Sequence, residues 1–443
     1  MRPGLPGGPY LVVGLARSGG SASLALRSAA QQVVGLDRAL PAGAVQLREA
    51  GVEIHTGTDG IELLDRVRTV VKSPGVPREA PVIAAALERG MTVIGEMELA
   101  WRMLPQDFIA VTGTNGKTTT VELIGAIHRA AGLPVAVAGN VGRALSGLAT
   151  PAPLGAGPLA ADTIVVCEAS SFQLEDASDF APEAALLLNI EPDHLDRHHS
   201  FARYTEAKLK IFANQSAGAL AVLPEALAEV TIPGAAQRIV FGEGERCALR
   251  LRDGVLQWHE DELIALRDVR LRGPVQNAMA AATVMLARGA PADAVRAALT
   301  SFAGVAHRLE EIGTLDGVLY VNDSKATNIA SALVALRSFA PGSVQLIAGG
   351  QGKGQDFDRL REAVARHANH TYLIGEDAEQ IARALSGLPT THAETLARAL
   401  ELARQSARPG MVVLLSPACA SFDAFADFEA RGEAFRSLVL RQA

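Results

Sequence analysis

The chain lacks several features that mark other classes of protein. Its three cysteines, Cys167, Cys247 and Cys419, are odd in number and widely spaced, which argues against a disulfide framework and favours a reducing compartment. No apolar run reaches the ~18 residues that a membrane span requires. No block of lysine and arginine stands out in a chain whose net charge is −7. We therefore expect no nucleic-acid partner, no membrane insertion and a cytoplasmic location.

Apolar residues are abundant and aromatic residues are few. They make up 49% and 4% of the chain, a balance that is typical of an α/β protein and not of a disordered one. At 443 residues the chain is too long for one hydrophobic core, given roughly 150 residues per domain. We expect three domains, at residues 1–95, 96–304 and 305–443.

The most informative stretch is the turn G-T-N-G-K-T-T, from Gly113 to Thr119. An apolar run before it predicts a buried strand, and a helix is predicted from Thr118. Glycines in such a turn let backbone N–H groups approach phosphate oxygens, Lys117 can reach the terminal phosphates, and Thr118 can place a hydroxyl on Mg²⁺. Val111 replaces the first glycine of the usual P-loop pattern. The stretch is therefore a variant phosphate loop and predicts a nucleoside triphosphate site.

The N-terminal part predicts a Rossmann-like unit. A short strand from Tyr10 breaks into a glycine turn, and a second strand ends in Asp37, where such a unit places its ribose-binding acid. Ala16 replaces the second glycine of the dinucleotide fingerprint, which favours a related nucleotide or nucleotide-sugar over NAD. A later strand ends at Ser73, on the same edge of the sheet. A purely structural turn is the alternative interpretation.

Strands of the central part also end in polar groups. Glu168 closes one strand, and the next one opens onto a run that contains Asp193, His194 and His198. The carboxyl ends of parallel strands meet at one edge of a sheet, and a carboxylate, an imidazole and phosphate oxygens suit Mg²⁺. A zinc site built from His194, His198 and Asp196 and a solvated polar loop are the competing interpretations.

The rest of the chain predicts a helix over 201–213, an antiparallel flank between about 220 and 272, and then a second Rossmann-like unit. The strands predicted for that unit lie at 318–321, 344–348, 372–374 and 412–415. Polar loops, N-D-S-K-A-T-N and S-P-A-C-A-S-F-D, follow the first and the last of them. Cys419 in the second loop lacks a flanking base, so a packed residue is favoured over a nucleophile.

In this order, the motifs resemble those of the Mur ligases, the ATP-dependent amino-acid-adding enzymes of peptidoglycan synthesis. The resemblance covers nearly the whole chain and rests on G-T-N-G-K-T-T, Gly139-Asn140, Glu168 before S-S-F-Q, Asp193-His194, His307-Arg308 and N-D-S-K-A-T-N. The first glycine turn, G-L-A-R-S-G, and the last polar loop resemble the members that add D-glutamate. The resemblance implies the addition of D-glutamate to UDP-N-acetylmuramoyl-L-alanine through an acyl phosphate and a tetrahedral intermediate.

The same resemblance implies a role for each site residue. The first domain would bind the UDP-substrate, the central domain ATP, and the last domain the amino acid. The UDP-substrate would contact Leu15, Arg17, Ser18, Asp37, Arg38, Ser73, Asn140, Gln173 and His194. ATP would contact Gly113, Thr114, Asn115, Gly116, Lys117, Thr118, Thr119, Asn277, Arg308 and Asp323. D-Glutamate would contact Thr327, Lys353, Ser421 and Phe428. The catalytic residues would be Lys117, Glu168, His194, Lys208 and Lys325.

The implied cofactors are ATP and Mg²⁺ at two sites. The metal would be held by Thr118, Glu168, His194 and by Lys208 if it is carbamylated; an ordinary helix lysine is the alternative for Lys208. The family usually reads G-x-H-N-x-x-N where this chain has G-P-V-Q-N at 273–277, so the His-Asn pair is absent. We expect a monomer. A folylpolyglutamate or cyanophycin synthetase and a nucleotide-binding regulator without ligase activity are the alternative functions.

Overall fold

The computed structural model describes residues 2–152, 155, 157–271, 273–302, 304–352 and 354–441. It contains three β-sheets, which are connected by helices. Contacts within the chain group it into two compact units: Met1–Val269 with Gln276–Thr300, and Arg270–Val275 with Ser301–Ala443. The first unit contains two of the sheets and the second unit contains the third. The three-domain α/β architecture is confirmed, whereas the domain boundaries near 95 and 304 stay predictions.

The first sheet is built from short apolar strands. Its elements are β1 (Tyr10–Val13), α1 (Arg17–Ser28), β2 (Val33–Asp37), α2 (Ala44–Glu49), β3 (Glu53–Thr56), β4 (Thr69–Lys72), α3 (Pro81–Glu88), β5 (Thr92–Gly95) and α4 (Glu96–Met103). All strands are parallel, in the order β3-β2-β1-β4-β5. Every residue of β1 and β4 is buried, as expected for central strands that are covered on both faces.

The helix α4 connects the first sheet to the second and is anchored by a buried carboxylate. The side chain of Glu98 is inaccessible to solvent. It accepts hydrogen bonds from the backbone N–H groups of Ser178, Asp179 and Phe180, at 3.2, 3.2 and 2.9 Å. The three donors belong to the segment that precedes a central strand of the second sheet. A charge that would be costly to bury alone is therefore satisfied by backbone donors.

The second sheet is the largest. Its elements are β6 (Phe108–Thr112), α5 (Lys117–Ala130), β7 (Val135–Gly139), β8 (Ile164–Glu168), α6 (Ser171–Glu175), β9 (Ala184–Leu187), α7 (Leu195–His198), α8 (Phe201–Leu209), β10 (Leu220–Pro224), β11 (Gln237–Gly242), β12 (Leu249–Arg252), β13 (Val255–Trp258), β14 (Asp261–Ala265), α9 (Val275–Ala287) and α10 (Ala292–Ser301). The order is β14-β13-β12-β11-β10-β9-β6-β8-β7. β6 lies between β8 and β9, so the loops after these strands meet at one edge.

The antiparallel flank is confirmed and is smaller than the sequence predicts. Among the described residues of this sheet, only the pairs β12–β13 and β13–β14 are antiparallel. The strands β10 and β11 extend the parallel part of the sheet instead. The helix predicted over 201–213 ends at Leu209 and continues as a 3-10 turn over Lys210–Phe212. No helix among the described residues is both long and apolar enough to cross a membrane.

The third sheet is mostly parallel with one antiparallel edge. Its elements are β15 (Glu310–Leu315), β16 (Val318–Asn322), α11 (Ile329–Arg337), β17 (Val344–Gly349), α12 (Arg361–His367), β18 (Ala368–Ile374), α13 (Ala378–Ala384), β19 (Thr390–Glu394), α14 (Leu396–Ser406), β20 (Val412–Leu415) and α15 (Phe428–Leu440). The order is β15-β16-β20-β17-β18-β19, and in the part of the chain that the structure describes only β15 is antiparallel in this sheet. The four predicted strands are present. The two edge strands are additional, because their polar, half-exposed sequences lack a long apolar run.

Candidate active site

The turn between β6 and α5 has the geometry of an anion-binding loop. Gly113 and Gly116 have φ angles of 155° and 87°, and a Cβ atom on Gly116 would lie 2.3 Å from Oδ1 of Asn277. Only glycine fits at that position without displacing a neighbour. The helix α5 begins directly at Lys117, so its N-terminal N–H groups and positive dipole end lie at the turn. The predicted phosphate loop is therefore preformed.

Two lysines converge on one carbonyl group of this loop. Nζ of Lys117 donates to the carbonyl oxygens of Gly113 and Thr114, both at 2.9 Å. Nζ of Lys208 donates to the same Gly113 oxygen at 2.8 Å. Lys208 is 1% exposed, and its ammonium lies 4.6 Å from the ring centroid of Tyr204. Burial, together with the charge of Lys117, lowers the pKa of Lys208 to about 7.

The segment after β9 braces the phosphate loop. The Asn189 side chain accepts a hydrogen bond from the backbone N–H of Asn115 at 2.9 Å and donates to its carbonyl oxygen at 3.1 Å. Oγ1 of Thr114 accepts from the backbone N–H of Glu191 at 2.9 Å and lies 3.0 Å from the Tyr204 hydroxyl. Asn189 is absent from the residues that the sequence singles out. It lies just after an apolar strand, as Glu168 lies at the end of one, and that placement is the signal that could have found it.

Glu168 and Asn140 come together beside the loop. Glu168 ends β8 and is 3% exposed. Nδ2 of Asn140 donates to Oε1 of Glu168 at 2.9 Å, and the backbone N–H of Asn140 donates to the Glu168 carbonyl oxygen at 2.9 Å. The φ angle of Gly139 is 128°, and a Cβ atom there would lie 2.3 Å from that carbonyl oxygen. The Gly139-Asn140 motif therefore serves a close approach of two strand ends.

His194 and His198 differ in their surroundings. The His194 side chain is 49% exposed, and Nε2 lies 3.5 Å from Oδ2 of Asp193. His198 is 4% exposed, its ring stacks on Phe172 with a centroid distance of 5.5 Å, and Nε2 lies 3.0 Å from Oγ of Ser171. Burial lowers the pKa of His198. Both histidines pack on Phe172, but only His194 is open to a ligand.

The described residues give the zinc interpretation no support. Within this part of the chain, no three His, Cys, Asp or Glu side chains form a group that could hold a metal ion. His198 is occupied by its packing and by its contact with Ser171. The side chain of Asp196 lies outside the described residues. A metal that takes most of its ligands from phosphate and water remains compatible with Glu168 and His194.

A pocket of about 400 Å³ lies at the carboxyl edge of the first sheet. Its lining includes Asp37, Arg38, Gly75 and Val76. Oδ2 of Asp37 accepts a hydrogen bond from the backbone N–H of Leu15 at 2.6 Å. The predicted ribose-binding acid therefore lies against the glycine turn, as a Rossmann-like unit requires.

The other N-terminal site residues surround this turn. Oγ of Ser73 donates to the carbonyl oxygen of Gly14 at 2.6 Å. Arg17 and Ser18 form the first turn of α1, and Arg17 donates to the carbonyl oxygen of Gly142 at 3.1 Å. Gly142 lies in the loop that follows β7, so Arg17 connects the first sheet to the loop that carries Asn140. These contacts bring residues of the two sheets together within one unit.

Gln173 has a structural role at the start of α6. It is 3% exposed, and its Oε1 accepts hydrogen bonds from the backbone N–H and the hydroxyl of Ser170, both at 3.0 Å. Ser170 in turn caps the first turn of α6, which makes a reciprocal capping box. The expected contact of Gln173 with a substrate stays a prediction.

In the second unit, the polar loop after β16 is held by buried groups. Asp323 is 5% exposed and accepts hydrogen bonds from the backbone N–H of Leu309 at 3.1 Å and from Oγ of Ser416 at 2.8 Å. Burial raises the pKa of Asp323 to about 7. The backbone N–H of Lys325 donates to the carbonyl oxygen of His307 at 3.0 Å. The His307-Arg308 segment and the N-D-S-K-A-T-N loop are therefore neighbours.

Of the residues expected around D-glutamate, Phe428 and Thr327 each lie next to Lys325. Nζ of Lys325 lies 5.5 Å from the ring centroid of Phe428, the first residue of α15. Ser421 is 2% exposed and its carbonyl oxygen accepts from the backbone N–H of Phe425 at 2.8 Å. The backbone N–H of Thr327 donates to the carbonyl oxygen of Lys325 at 2.8 Å. Lys353 lies outside the described residues.

Arg431 organises this region and is missed by the sequence patterns. It is 1% exposed. Its guanidinium donates to Oγ and the carbonyl oxygen of Ser324 at 2.9 and 2.8 Å, and to the carbonyl oxygens of Cys419 and Ala420 at 3.0 and 3.3 Å. It therefore ties the loop after β16 to the loop after β20. Its position on the buried stripe of α15, four residues before Phe435, is the signal that could have found it.

Arg431→Met should lower the free energy of unfolding by roughly 3 kcal/mol, because three buried carbonyl groups lose a charged donor. Urea denaturation measures the difference. Arg441→Met is the matched control, because Arg441 directly follows α15 and is exposed, and we expect a change within about 0.5 kcal/mol. Equal stabilities of the two variants would contradict the role given to Arg431.

Comparison with known proteins decides the family. Residues 9–95 match the family described as "Mur ligase MurD-like, N-terminal domain". Residues 111–285 match "Mur ligase middle domain", and residues 307–419 match "Mur ligase, glutamate ligase domain". The chain belongs to the Mur ligase family. It is therefore an ATP-dependent ligase of peptidoglycan synthesis, as the resemblance implies. The interpretation as a regulator without ligase activity is not supported.

Curated relatives match this Mur ligase over almost its whole length. The UDP-N-acetylmuramoylalanine–D-glutamate ligase of Myxococcus xanthus is 42% identical, with 98% of each chain covered. The enzyme of the same name from Koribacter versatilis is 39% identical, with 98% of this chain and 97% of the relative covered.

Solved structures share the fold at low identity. The UDP-N-acetylmuramate-alanine ligase MurC of Thermotoga maritima has a TM-score of 0.64 at 18% identity, with 99% of this chain and 100% of that chain covered. The bifunctional folylpolyglutamate synthase/dihydrofolate synthase of Yersinia pestis has a TM-score of 0.57 at 19% identity, with 77% and 90% covered. At these identities the likeness concerns the fold alone.

The donor set of this Mur ligase fits Mg²⁺. Thr118 lies in the first turn of α5 after β6, Glu168 ends β8, and His194 lies in the segment after β9; these three strands are neighbours in the sheet. They offer a hydroxyl, a carboxylate and an imidazole, and Mg²⁺ accepts few protein ligands because it keeps waters and phosphate oxygens. Glu168 is 3% exposed, so its carboxylate is held in place within the protein.

Proposed function

We propose that this Mur ligase adds D-glutamate to UDP-N-acetylmuramoyl-L-alanine, with ATP converted to ADP and phosphate. The observation that carries the proposal is the preformed phosphate loop with Lys117 and Lys208 on the Gly113 carbonyl, in the same unit as Glu168 and the first-sheet pocket. The relatives that match nearly the whole chain are named UDP-N-acetylmuramoylalanine–D-glutamate ligases, which supports the choice of substrates. A monomer acting in the cytoplasm is part of the proposal.

The nucleotide end of the UDP-substrate would occupy the pocket beside Asp37 and Arg38. Its volume of about 400 Å³ lies within the range of small-molecule sites, roughly 300–1,000 Å³. Leu15, Arg17, Ser18 and Ser73 border the glycine turn where a diphosphate would bind. Asn140, Gln173 and His194 would contact the sugar-peptide end, because they lie toward the phosphate loop of the second sheet.

The reaction would begin with attack of the substrate carboxylate on the γ-phosphorus of ATP, which gives an acyl phosphate. Lys117 would neutralise charge on the transferred phosphoryl group. The amine of D-glutamate would then attack the acyl carbon, and the tetrahedral adduct would lose phosphate. Little covalent work falls to the protein, so its contribution is positioning and charge neutralisation.

The residues that would hold Mg²⁺, at two sites, are Thr118, Glu168, His194 and Lys208 as a carbamate. When bound, the metal supplies positive charge beside the phosphates. A lysine forms a carbamate only as the neutral amine, and the pKa of about 7 gives Lys208 a large neutral fraction near pH 7. The modification would change a cation into an anion with two oxygen ligands.

In the second unit, Arg308, Asp323 and Lys325 would act on the nucleotide and its phosphates, and Thr327, Lys353, Ser421 and Phe428 would bind D-glutamate. Asn277 would contact the nucleotide, which is supported by its place against Gly116 in the phosphate loop. The domains at 1–95, 96–304 and 305–443 would thus divide the three substrates.

Phosphate release tests the choice of substrates. We expect release with ATP, UDP-N-acetylmuramoyl-L-alanine and D-glutamate together, and almost none when any one is left out. L-Glutamate in place of D-glutamate and a folate substrate in place of the UDP-substrate are the comparison arms. Release that depends on folate, or release that ignores the amino acid, would overturn the proposal.

A further inference from the structure

A buried ion pair joins the first sheet to the second. Lys72 is the last residue of β4, and its Nζ lies 2.6 Å from Oδ2 of Asp176, the residue that follows α6. The exposed fractions of the two side chains are 0% and 2%. Nε of Arg78 lies 3.4 Å from the other Asp176 oxygen. Burying two charges costs free energy of desolvation that their mutual attraction does not always recover. Stability alone therefore does not explain why this ion pair is buried.

The carbonyl oxygen of Val76 receives two cations. Nζ of Lys72 donates to it at 2.8 Å, and Nη2 of Arg197 donates to it at 3.1 Å. Val76 lines the first-sheet pocket together with its neighbours Gly75 and Pro77. Lys72 and Arg197 therefore fix the Val76 segment, which forms one wall of the pocket, although neither side chain lines the pocket.

Arg197 connects this wall to the phosphate-loop edge of the second sheet. It lies in α7, three residues after His194. Nη2 of Arg197 lies 3.4 Å from Oε2 of Glu175 at the end of α6, and the guanidinium carbon lies 5.2 Å from the ring centroid of Phe172. The Phe172 ring in turn packs on His194 with a centroid distance of 4.8 Å. A continuous set of contacts thus runs from the pocket wall to His194.

We propose that Lys72, Asp176 and Arg197 are positioning residues that fix the pocket wall at Val76 relative to α6 and His194. A substrate held by its nucleotide end in the pocket would then present its far end at the phosphate loop. The inference rests on the proposed function, because only a substrate that spans both places needs their spacing fixed. Charged side chains suit this positioning role. The Val76 carbonyl oxygen needs hydrogen-bond donors of fixed direction, and charged donors form the stronger hydrogen bonds.

The double variant Lys72→Met/Asp176→Leu separates positioning from stability. Replacing both members of a buried pair by apolar residues is often neutral for stability, so the variant should fold. We expect kcat/KM for UDP-N-acetylmuramoyl-L-alanine to fall about tenfold or more, because a small misplacement of the reacting groups lowers the rate of the reaction between them. The Kd for UDP alone and the KM for ATP should change by less than about twofold, because neither ligand spans the two places.

Two further variants complete the experiment. Arg197→Lys keeps the charge and loses the planar donor. It should lower kcat/KM for the UDP-substrate and leave the Kd for UDP and the KM for ATP unchanged, even if the double variant does not fold. Glu53→Gln is the control, because Glu53 pairs with Arg66 on the surface of the first sheet and its loss should leave all constants unchanged.

Two results would overturn the inference. One is a folded variant with wild-type kcat/KM, which would make the network purely structural. The other is a loss of UDP affinity as large as the loss of kcat/KM, because the network would then only shape the pocket. Wild-type protein without ligase activity would instead show that the proposed function has failed, and the inference would fail with it.

Discussion

Lys117→Ala should lower kcat by about a thousandfold or more, because in the proposed mechanism the transferred phosphoryl group would lose a neutralising cation. Nζ of Lys117 lies 2.9 Å from two carbonyl oxygens of the phosphate loop, so its charge lies at the loop that we propose binds the triphosphate. Initial rates of phosphate release with all three substrates measure the loss. Thermal unfolding should show that the variant is folded.

Arg129→Ala is the matched control for this prediction. Arg129 lies in the last turn of the same helix, α5, and is exposed. It carries the same charge at the opposite end, and we expect its loss to leave kcat unchanged. A Lys117→Ala variant that retained more than about a tenth of the wild-type rate would contradict the role of Lys117 in phosphoryl transfer.

Lys208→Ala should also be nearly inactive, with a loss of about a thousandfold, and short carboxylic acids such as formate or acetate should restore part of the rate. The physical reason is that a carboxylate can occupy the space of the buried side chain and supply the oxygens of a carbamate. Lys208 is 1% exposed, so the substitution leaves a small enclosed space beside the loop. Rates at increasing acetate concentration measure the rescue.

Lys210→Ala provides the comparison for Lys208. Nζ of Lys210 donates to the carbonyl oxygen of Glu175 at 2.7 Å and does not reach the phosphate loop. Carboxylic acids should therefore have no effect on that variant. A fully active Lys208→Ala variant, or one that responds to acetate no more than Lys210→Ala does, would refute a carbamylated lysine.

The sequence predicts the fold well where strands are buried. The run at 412–415 has every residue buried, and its predicted bounds are those of β20. The edge strands β15 and β19 are harder, because polar residues such as Glu311 and His392 occupy positions exposed to solvent. Short apolar alternation also does not distinguish parallel from antiparallel pairing, which explains why β10 and β11 were expected in the antiparallel flank.

The sequence predicts those site residues that belong to a short local motif. The phosphate loop and Asn140 directly follow strands, Glu168 ends one, and the sheet order then brings them to one edge. Asn189, Arg431 and the pair of Lys72 with Asp176 depend on contacts between distant parts of the chain. A strand end and a buried helix stripe mark the positions of Asn189 and Arg431, but the partners of these residues leave no periodic signal in a single sequence, so only the structure shows the contacts.

The structure also clarifies the shortened motif at 273–277. Without the His-Asn pair that the family usually has, only Asn277 could be carried over. The structure places Asn277 in α9 with its Oδ1 against Gly116, next to the phosphate loop. A position that looked isolated in the sequence is thus part of the nucleotide site that we propose.

The central claim is that the γ-phosphate of ATP activates a substrate carboxylate, and oxygen transfer tests it most directly. UDP-N-acetylmuramoyl-L-alanine labelled with ¹⁸O in its terminal carboxylate would be converted with ATP and D-glutamate, and the released phosphate would be analysed by mass spectrometry. An acyl phosphate predicts that one labelled oxygen passes from the carboxylate to each phosphate released. Phosphate that carries no label would contradict the claim, because hydrolysis by water leaves the carboxylate oxygens in place.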